Sequence, residues 1–350
     1  MLDLKDREWG EFRIGDIFEI GTGSLIGEER LTKGKIPRIS AKAVNNGIEN
    51  FYSRLNEKSY REFNNFISIS FLGDAFYHPY TASLDMKIHS LKLKEHELNK
   101  YIAAFIKIQI AYMKEKFSYG NQLSSSILPR QILLLPITNQ DIPDWQFMEE
   151  YIREREQIFL QEYIEYAEKI VHECEIGEVI PLKEKEWSEF RIGDIFTEIQ
   201  RGKRLKKSDH RIGQRPYVSS TAVNNGVDGF VSNKDGVRTF NNCLTVANSG
   251  SVGATFYHKY EFVASDHVTQ LKNPNFTRYI YLFLAPIISR LSEKYSFNRE
   301  INDDRVKREI ILLPIDNNGN PDWNYMEQYA KSITRQKITE YLKYKGFEQK

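Results

Sequence analysis

The chain has 350 residues, enough for two domains with cores of their own, and its 41% apolar and 28% charged residues exclude a disordered or fibrous polymer. A formal net charge of +1 excludes a global basic field but leaves room for a local one. Two cysteines in unlike contexts, Cys174 and Cys243, argue against a disulfide framework or a Cys-based zinc site and for a reducing compartment. The longest apolar run, Tyr279 to Ile288, is too short for a bilayer and contains Pro286. The opening MLDLKDREWGEF lacks the apolar stretch of a secretory signal, so a cytoplasmic protein is expected.

In chain order, EWGEFRIGDIF from Glu8 leads into FEIGTGS at Phe18, where Gly21 and Gly23 invite comparison with a loop that cradles S-adenosylmethionine. The polar loop TGSLIGEERLTKGKIPR and AVNNG, ending at Gly47, follow. FISISFLGDAFYH reads as short strands, and LNKYIAAFIKIQIAYMKEKF as a helix burying Ile102, Phe105, Ile106 and Ile110. ILLLPI closes an α/β unit of about 140 residues. Pro143-Asp144 then opens a helix that ends near Cys174, with Trp145, Met148, Ile152 and Phe159 on one stripe.

The same order then recurs. EWSEFRIGDIF starts at Glu186, with Trp187 lying 178 positions after Trp9, and AVNNG ends again at Gly226. FYH occurs at Phe76 and Phe256, IILLPI ends at Ile315, and Pro321-Asp322 opens a second helix along Trp323, Met326, Tyr329 and Ile333. Blocks in one order at nearly constant offset mean a tandem duplication. Helices of about 30 residues, roughly 45 Å each, are expected to form an antiparallel pair.

The duplication tests the candidate chemistry. Copy two has FTEIQRGKRLKK from Phe196 where copy one has FEIGTGS, so Gly-x-Gly is not kept. NPNF, Asn273 to Phe276, lacks the second proline of the element that holds a flipped base in N-methyltransferases. A glycine turn after Ile20 is the reading adopted. The rivals are a compact methyltransferase using Gly21 and Gly23 and a symmetric protein-only adaptor. SGSVG, from Ser249, is neither a nucleophile elbow nor a phosphate loop. No catalytic or metal constellation emerges from the seven scattered histidines. The loop Arg201 to Arg215 does stand out, with seven Lys/Arg against one Asp. Cations clustered on one loop of a near-neutral chain suit phosphate and groove contact.

Trp-x-x-Phe-x-Ile-Gly-Asp-Ile-Phe heading each half, the middle ANSGSVGATFYH, and the closing Leu/Ile-Pro strand with its helix resemble the specificity (S) subunits of type I restriction–modification systems. The PDW-x-x-MExY starts look most like the smaller S subunits of type IIB, BcgI-like systems. The resemblance implies a mixed α/β (α+β) fold with two target recognition domains, 1–141 and 177–319, and spacer helices at 142–176 and 320–350. It implies that each domain reads half of an asymmetric bipartite site on double-stranded DNA. The helices would dock methyltransferase or methyltransferase–nuclease subunits. It implies no catalysis and no cofactor in this chain, with S-adenosylmethionine and Mg on the partners, and no membrane.

Candidate DNA contacts in copy one are Arg38, Ser40, Lys42, Asn45, Asn121 and Gln122. In copy two they are Arg201, Lys203, Arg204, Lys206, Lys207, Ser219, Ser220, Asn248, Ser251 and Arg299. Asn45 carries the competing reading that Asn-Asn-Gly is a framework turn. The helix-pair or partner candidates are Trp145, Met148, Ile152, Phe159, Trp323, Met326, Tyr329 and Ile333.

Overall fold

The computed structural model describes residues 1–296 and 298–347. The chain divides into two compact units, Met1–Tyr163 and Ile164–Lys350, with the division falling inside a helix. Unit 1 runs β1 (Trp9–Arg13), α1 (Ile14–Ile17), β2 (Phe18–Thr22), β3 (Lys33–Ile39), β4 (Ile48–Tyr52), β5 (Glu62–Phe63), β6 (Phe66–Ser70), β7 (Ala75–His78), β8 (Ala82–Leu84), β9 (Ile88–Leu93), α2 (Lys100–Lys114) and β10 (Ile132–Pro136). The helix α3 (Trp145–Glu173) leads out of it. Unit 2 repeats the plan with β11 (Trp187–Arg191), α4 (Ile192–Ile195), β12 (Glu198–Arg201), β13 (Ile212–Val218), β14 (Val227–Val231), β15 (Thr239–Phe240), β16 (Cys243–Ala247), β17 (Thr255–His258), β18 (Phe262–Ala264), β19 (Val268–Lys272) and α5 (Arg278–Ser289). It adds α6 (Asp303–Arg308) before β20 (Ile310–Pro314) and ends on α7 (Trp323–Tyr344).

Each unit holds one antiparallel four-stranded sheet, β2-β9-β6-β7 or β12-β19-β16-β17. A second, mixed sheet has the order β4-β3-β8-β5 or β14-β13-β18-β15, and its β3–β8 and β13–β18 pairs are parallel. A ribbon, β1–β10 or β11–β20, completes the set. The central strand β6 is buried along its whole length. Ile67 and Ile69 pack with the α2 stripe, Ile102, Phe105, Ile106 and Ile110, while Phe66 joins Ile39, Ala82, Leu84 and Ile88 on the other side. In unit 2 the free thiol Cys243 joins the matching cluster, and burial pushes its pKa up to about 12.

AVNNG is a framework turn. Asn45, Asn46 and Gly47 have φ of 52°, 51° and 71°, and Asn224, Asn225 and Gly226 have 51°, 52° and 76°. Short polar side chains and glycine are the residues that tolerate this left-handed region.

The Gly-x-Gly of FEIGTGS is not the turn expected from sequence. Gly21 lies inside β2, and a Cβ there would sit 2.2 Å from Phe63 Cε1. Gly23 follows the strand, where a Cβ would be 2.1 Å from the Asp85 carbonyl oxygen; Gly202 meets the Ser265 carbonyl at 2.2 Å. The Gly23 amide donates to Ile88 and the Gly202 amide to Val268, each at 2.9 Å. The second glycine is therefore shared framework, required where two backbones cross, and its amide is already spent. Gly23→Ala and Gly202→Ala are expected to cost at least about 1–3 kcal/mol each, as overpacking does. Urea unfolding checks this; an unchanged midpoint would mean the crossing is loose.

The two PDW segments start their helices by one mechanism. Asp144 Oδ1 accepts from the Phe147 amide, and Asp322 Oδ1 from the Tyr325 amide, each at 2.9 Å. The lengths depart from expectation, since α3 has 29 residues but α7 only 22. Gly346 at φ 82° turns the chain, and the Phe347 amide donates back to the Leu342 carbonyl, a left-handed stop for α7.

The first turns of both helices also depart from the expected helix-pair role. Met148 is fully buried in the unit 1 core, with Trp145 and Ile152 packed against it. Met326 is fully buried in the unit 2 core, and Trp323 lies 4.6 Å from the Phe276 ring. Tyr329 and Ile333 line an apolar groove of about 510 Å³ with Trp187 and Leu282. Trp145, Met148, Ile152, Trp323 and Met326 serve their own units, because the start of each helix packs on its own core, whereas Ile333 stays exposed. Phe159 remains 67% exposed.

Candidate nucleic-acid interface

In unit 2 the loop after β12 is held by its apolar residue and presents its cations. Leu205 packs against Tyr217, Val231 and Val263, and the Tyr217 hydroxyl donates to the Leu205 carbonyl at 3.4 Å. Lys203, Arg204, Lys206 and Lys207 are exposed. None of the four enters a salt bridge among the described residues. Asn233 pins the far side, accepting from the Arg211 amide and donating to the Asp209 carbonyl, both at 2.9 Å. Arg215 is neutralised by Glu261 at 3.0 Å.

Arg201 is half-buried, and its amide donates to Asp303 Oδ2 at 3.2 Å. The other oxygen of Asp303 accepts from Thr269 Oγ1, which in turn accepts from Asn248 Nδ2. Asn248 is therefore not the solvent-facing reader expected from sequence. It is fully buried and anchors the turn that follows. That turn meets the Ser219–Ser220 segment, the Ser251 amide donating to the Ser220 carbonyl at 3.0 Å. Ser219, Ser220 and Ser251 thus form one half-buried polar cluster.

Arg299 is exposed, with its guanidinium 5.3 Å from the Tyr295 ring. It occupies the place that Asn121 has in unit 1, because bridges Ser296–Arg299 and Ser118–Asn121 close matching turns. Both turns are clipped to the sheet, by Ile301 N–H to the Asn248 carbonyl and by Leu123 N–H to the Phe71 carbonyl.

In unit 1, Asn121 and Gln122 are exposed but donate to the carbonyls of Lys116 and Tyr119. Lys42 and Asn45 are exposed, and Ser40 is half-buried. Arg38 departs from expectation. Its side chain is 3% exposed, pairs with Asp85 at 3.3 Å and donates to the Ser24 carbonyl at 3.0 Å. A buried guanidinium needs such partners, and here it holds the loop rather than facing a phosphate. The loop it holds carries Leu25, Glu28 and Glu29 where unit 2 has its cations.

Sequence reading passed over Arg61 and Arg238, whose signal is a further repeated block, Arg-x-Phe-Asn-Asn, at 61–65 and 238–242. It also left His78 and His258 unplaced. Each is fully buried, bonded through Nε2 to Ser68 or Thr245 at 2.8 and 2.9 Å, and through Nδ1 to the Tyr80 or Tyr260 hydroxyl. Burial pushes both pKa values down to about 4. Among the described residues no group of His, Cys, Asp and Glu could hold a metal ion, and no helix is long and apolar enough to cross a membrane.

Two equivalent mixed units, with a shared frame and unlike loops at its mouth, define a duplicated recognition scaffold. The chain belongs to the type I restriction modification DNA specificity domain family, which it matches twice, over residues 6–165 and 184–343. It is similar to the specificity subunit of the type II restriction enzyme BcgI from Heyndrickxia coagulans, 35% identical over 156 residues. That similarity covers 44% of this chain and 45% of that protein, so about half the relative's length is matched. The fold is similar to the crystal structure of the type I restriction-modification S subunit from M. genitalium. The TM-score is 0.50 at 16% identity, covering 98% of this chain and 93% of that one.

Proposed function

We propose that the chain is the DNA-specificity subunit of a restriction–modification system, with each unit reading one half of an asymmetric bipartite site. One observation carries the reading: the loop after β2 and β12 leaves the same glycine-gated crossing in both units, yet bears Leu25, Glu28 and Glu29 in one and four exposed cations in the other. A shared frame with unlike loops is what two different half-sites require.

In this reading the chain supplies no catalysis and no cofactor. Cytoplasmic methyltransferase or methyltransferase–nuclease partners bring S-adenosylmethionine and Mg. Partner docking falls to the helices beyond their first turns, where Phe159 and Ile333 stay exposed. The geometry of Gly21 and Gly23 weighs against the compact-methyltransferase alternative, since neither leaves room for a ligand.

Changing Arg204, Lys206 and Lys207 together to Ala is expected to weaken binding to all duplexes and to lower the salt slope by about 0.9 for each phosphate no longer neutralised. Affinity and slope at wild-type values would leave the loop a solvated surface and remove the main support for the reading.

A further inference from the structure

We propose that Arg61 and Arg238 are matched phosphate anchors, one per unit, that grip the DNA backbone independently of the bases read. The proposal rests on the DNA-specificity reading and adds the contacts that both half-sites share.

The two arginines make one contact twice. Arg61 Nη1 donates to the Thr22 carbonyl at 2.8 Å, and Arg238 Nη1 to the Arg201 carbonyl at 2.5 Å. Thr22 and Arg201 end β2 and β12, opposite His89 and Thr269 on the neighbouring strand. The contact therefore sits at the mouth of the recognition loop in each unit. Both arginines are exposed. Neither enters a salt bridge among the described residues. Glu62, next in sequence to Arg61, is already held by Arg54 and the Tyr60 hydroxyl. In unit 2 its place is taken by the neutral Thr239.

A guanidinium has five N–H donors in a rigid plane. One is spent on the carbonyl, which orients the plane, and with the side chain exposed and outside any salt bridge among the described residues the charge is left uncancelled. That is the geometry that suits a phosphate; a lysine ammonium supplies the same charge, and so the same salt slope, but not the fork. The surroundings say which part of the duplex is met. Thr22, Ser24 and Leu25 in unit 1 correspond to Arg201, Lys203 and Arg204 in unit 2, so the neighbours differ while the arginine stays. A feature common to two readers of different sequences cannot choose bases. The sugar–phosphate backbone is the part of DNA identical in both half-sites.

The test uses the full chain with Arg61→Gln, Arg238→Gln, the double variant and the two Lys variants. Each is titrated with a random-sequence duplex pool between about 50 and 300 mM salt, and the bound fraction is sequenced. Each Gln change should lower the slope of log K against log salt by about 0.9 and weaken affinity about fivefold at roughly 0.15 M salt. The double variant should bind about 25-fold more weakly, the product of two independent anchors, with the base preference of the bound pool unchanged. Gln can still donate to the carbonyl, so the urea midpoint should hold. If it falls, the Lys variants decide: they keep the cation and should keep the slope. A Lys variant with the reduced slope of Gln would mean that the arginine only holds the strand end, which overturns the proposal. So would an unchanged slope in the double variant, or a shifted base preference. A wild-type chain that binds no member of the pool would sink the specificity reading as well.

Discussion

Acidification from pH 7 to pH 4 is expected to remove about 3 kcal/mol of stability through each of His78 and His258. Both side chains are fully buried, and both are held neutral by burial, with pKa values of about 4 against an ordinary 6.5. Lys107 adds to the effect at His78. A folded-state pKa below the unfolded value means that the unfolded chain binds the proton first. The contribution is therefore complete above about pH 6.5 and is lost as pH falls from there to about 4, at about 1.36 kcal/mol per unit. His89 is pushed down as well, by burial and against its hydrogen bond to the Leu123 backbone, so unit 1 should be the more acid-sensitive. Carboxylates held down by their partners, such as Glu62 beside Arg54 and Glu149 beside Arg153, lose their contribution only nearer their own low range. The window above about pH 4.5 thus belongs to the histidines. Urea unfolding at about pH 7, 5.5 and 4.5 reads the effect. His78→Gln and His258→Gln should flatten the dependence, and an equal loss of stability in the double variant would place the titrating groups elsewhere.

The duplication made most of the frame legible. Repeated blocks can be read as framework without any structure, and Trp9 with Trp187, the α2 stripe and the two PDW helix starts all fell where their spacing put them. Periodicity could not give the sheet pairing. The strands β5 and β15 are two residues long, and β8 and β18 three, too short for an alternation signal. The parallel β3–β8 pairing depends on a crossover that no local pattern announces.

At the site, sequence found the loop but not the direction of its side chains. Arg38 and Asn248 are polar residues in variable stretches, which is how surface readers look, yet both are buried behind the loops they support. Residue type gives charge, and only the fold gives the partner, Asp85 for one and Thr269 for the other. Arg61 and Arg238 were missed for the opposite reason: an isolated arginine draws no notice until two copies are seen gripping equivalent carbonyls, Thr22 and Arg201.

Replacing unit 1 with the corresponding unit of a relative should change one half of the methylated motif completely and leave the other half untouched. Each mismatched base pair typically costs about 1–3 kcal/mol, so a half-site of about three altered pairs means a loss of roughly 10²- to 10⁶-fold for the old sequence. The structure also bears on the junction. The unit 1 core includes Met148, with Trp145, Tyr151 and Ile152 packed on it, all supplied by α3. A junction after Asp141 would set these side chains against a foreign core, and mismatched packing typically costs about 1–3 kcal/mol. A junction after Tyr163, where the compact unit ends, carries them along with their own core. Both chimeras should read the same new half-site, with the longer one the more stable to urea. Methylome sequencing of cells expressing each chimera beside its partner methyltransferase gives the motif. A palindromic motif, or a change in both halves, would show that the two units do not read DNA independently.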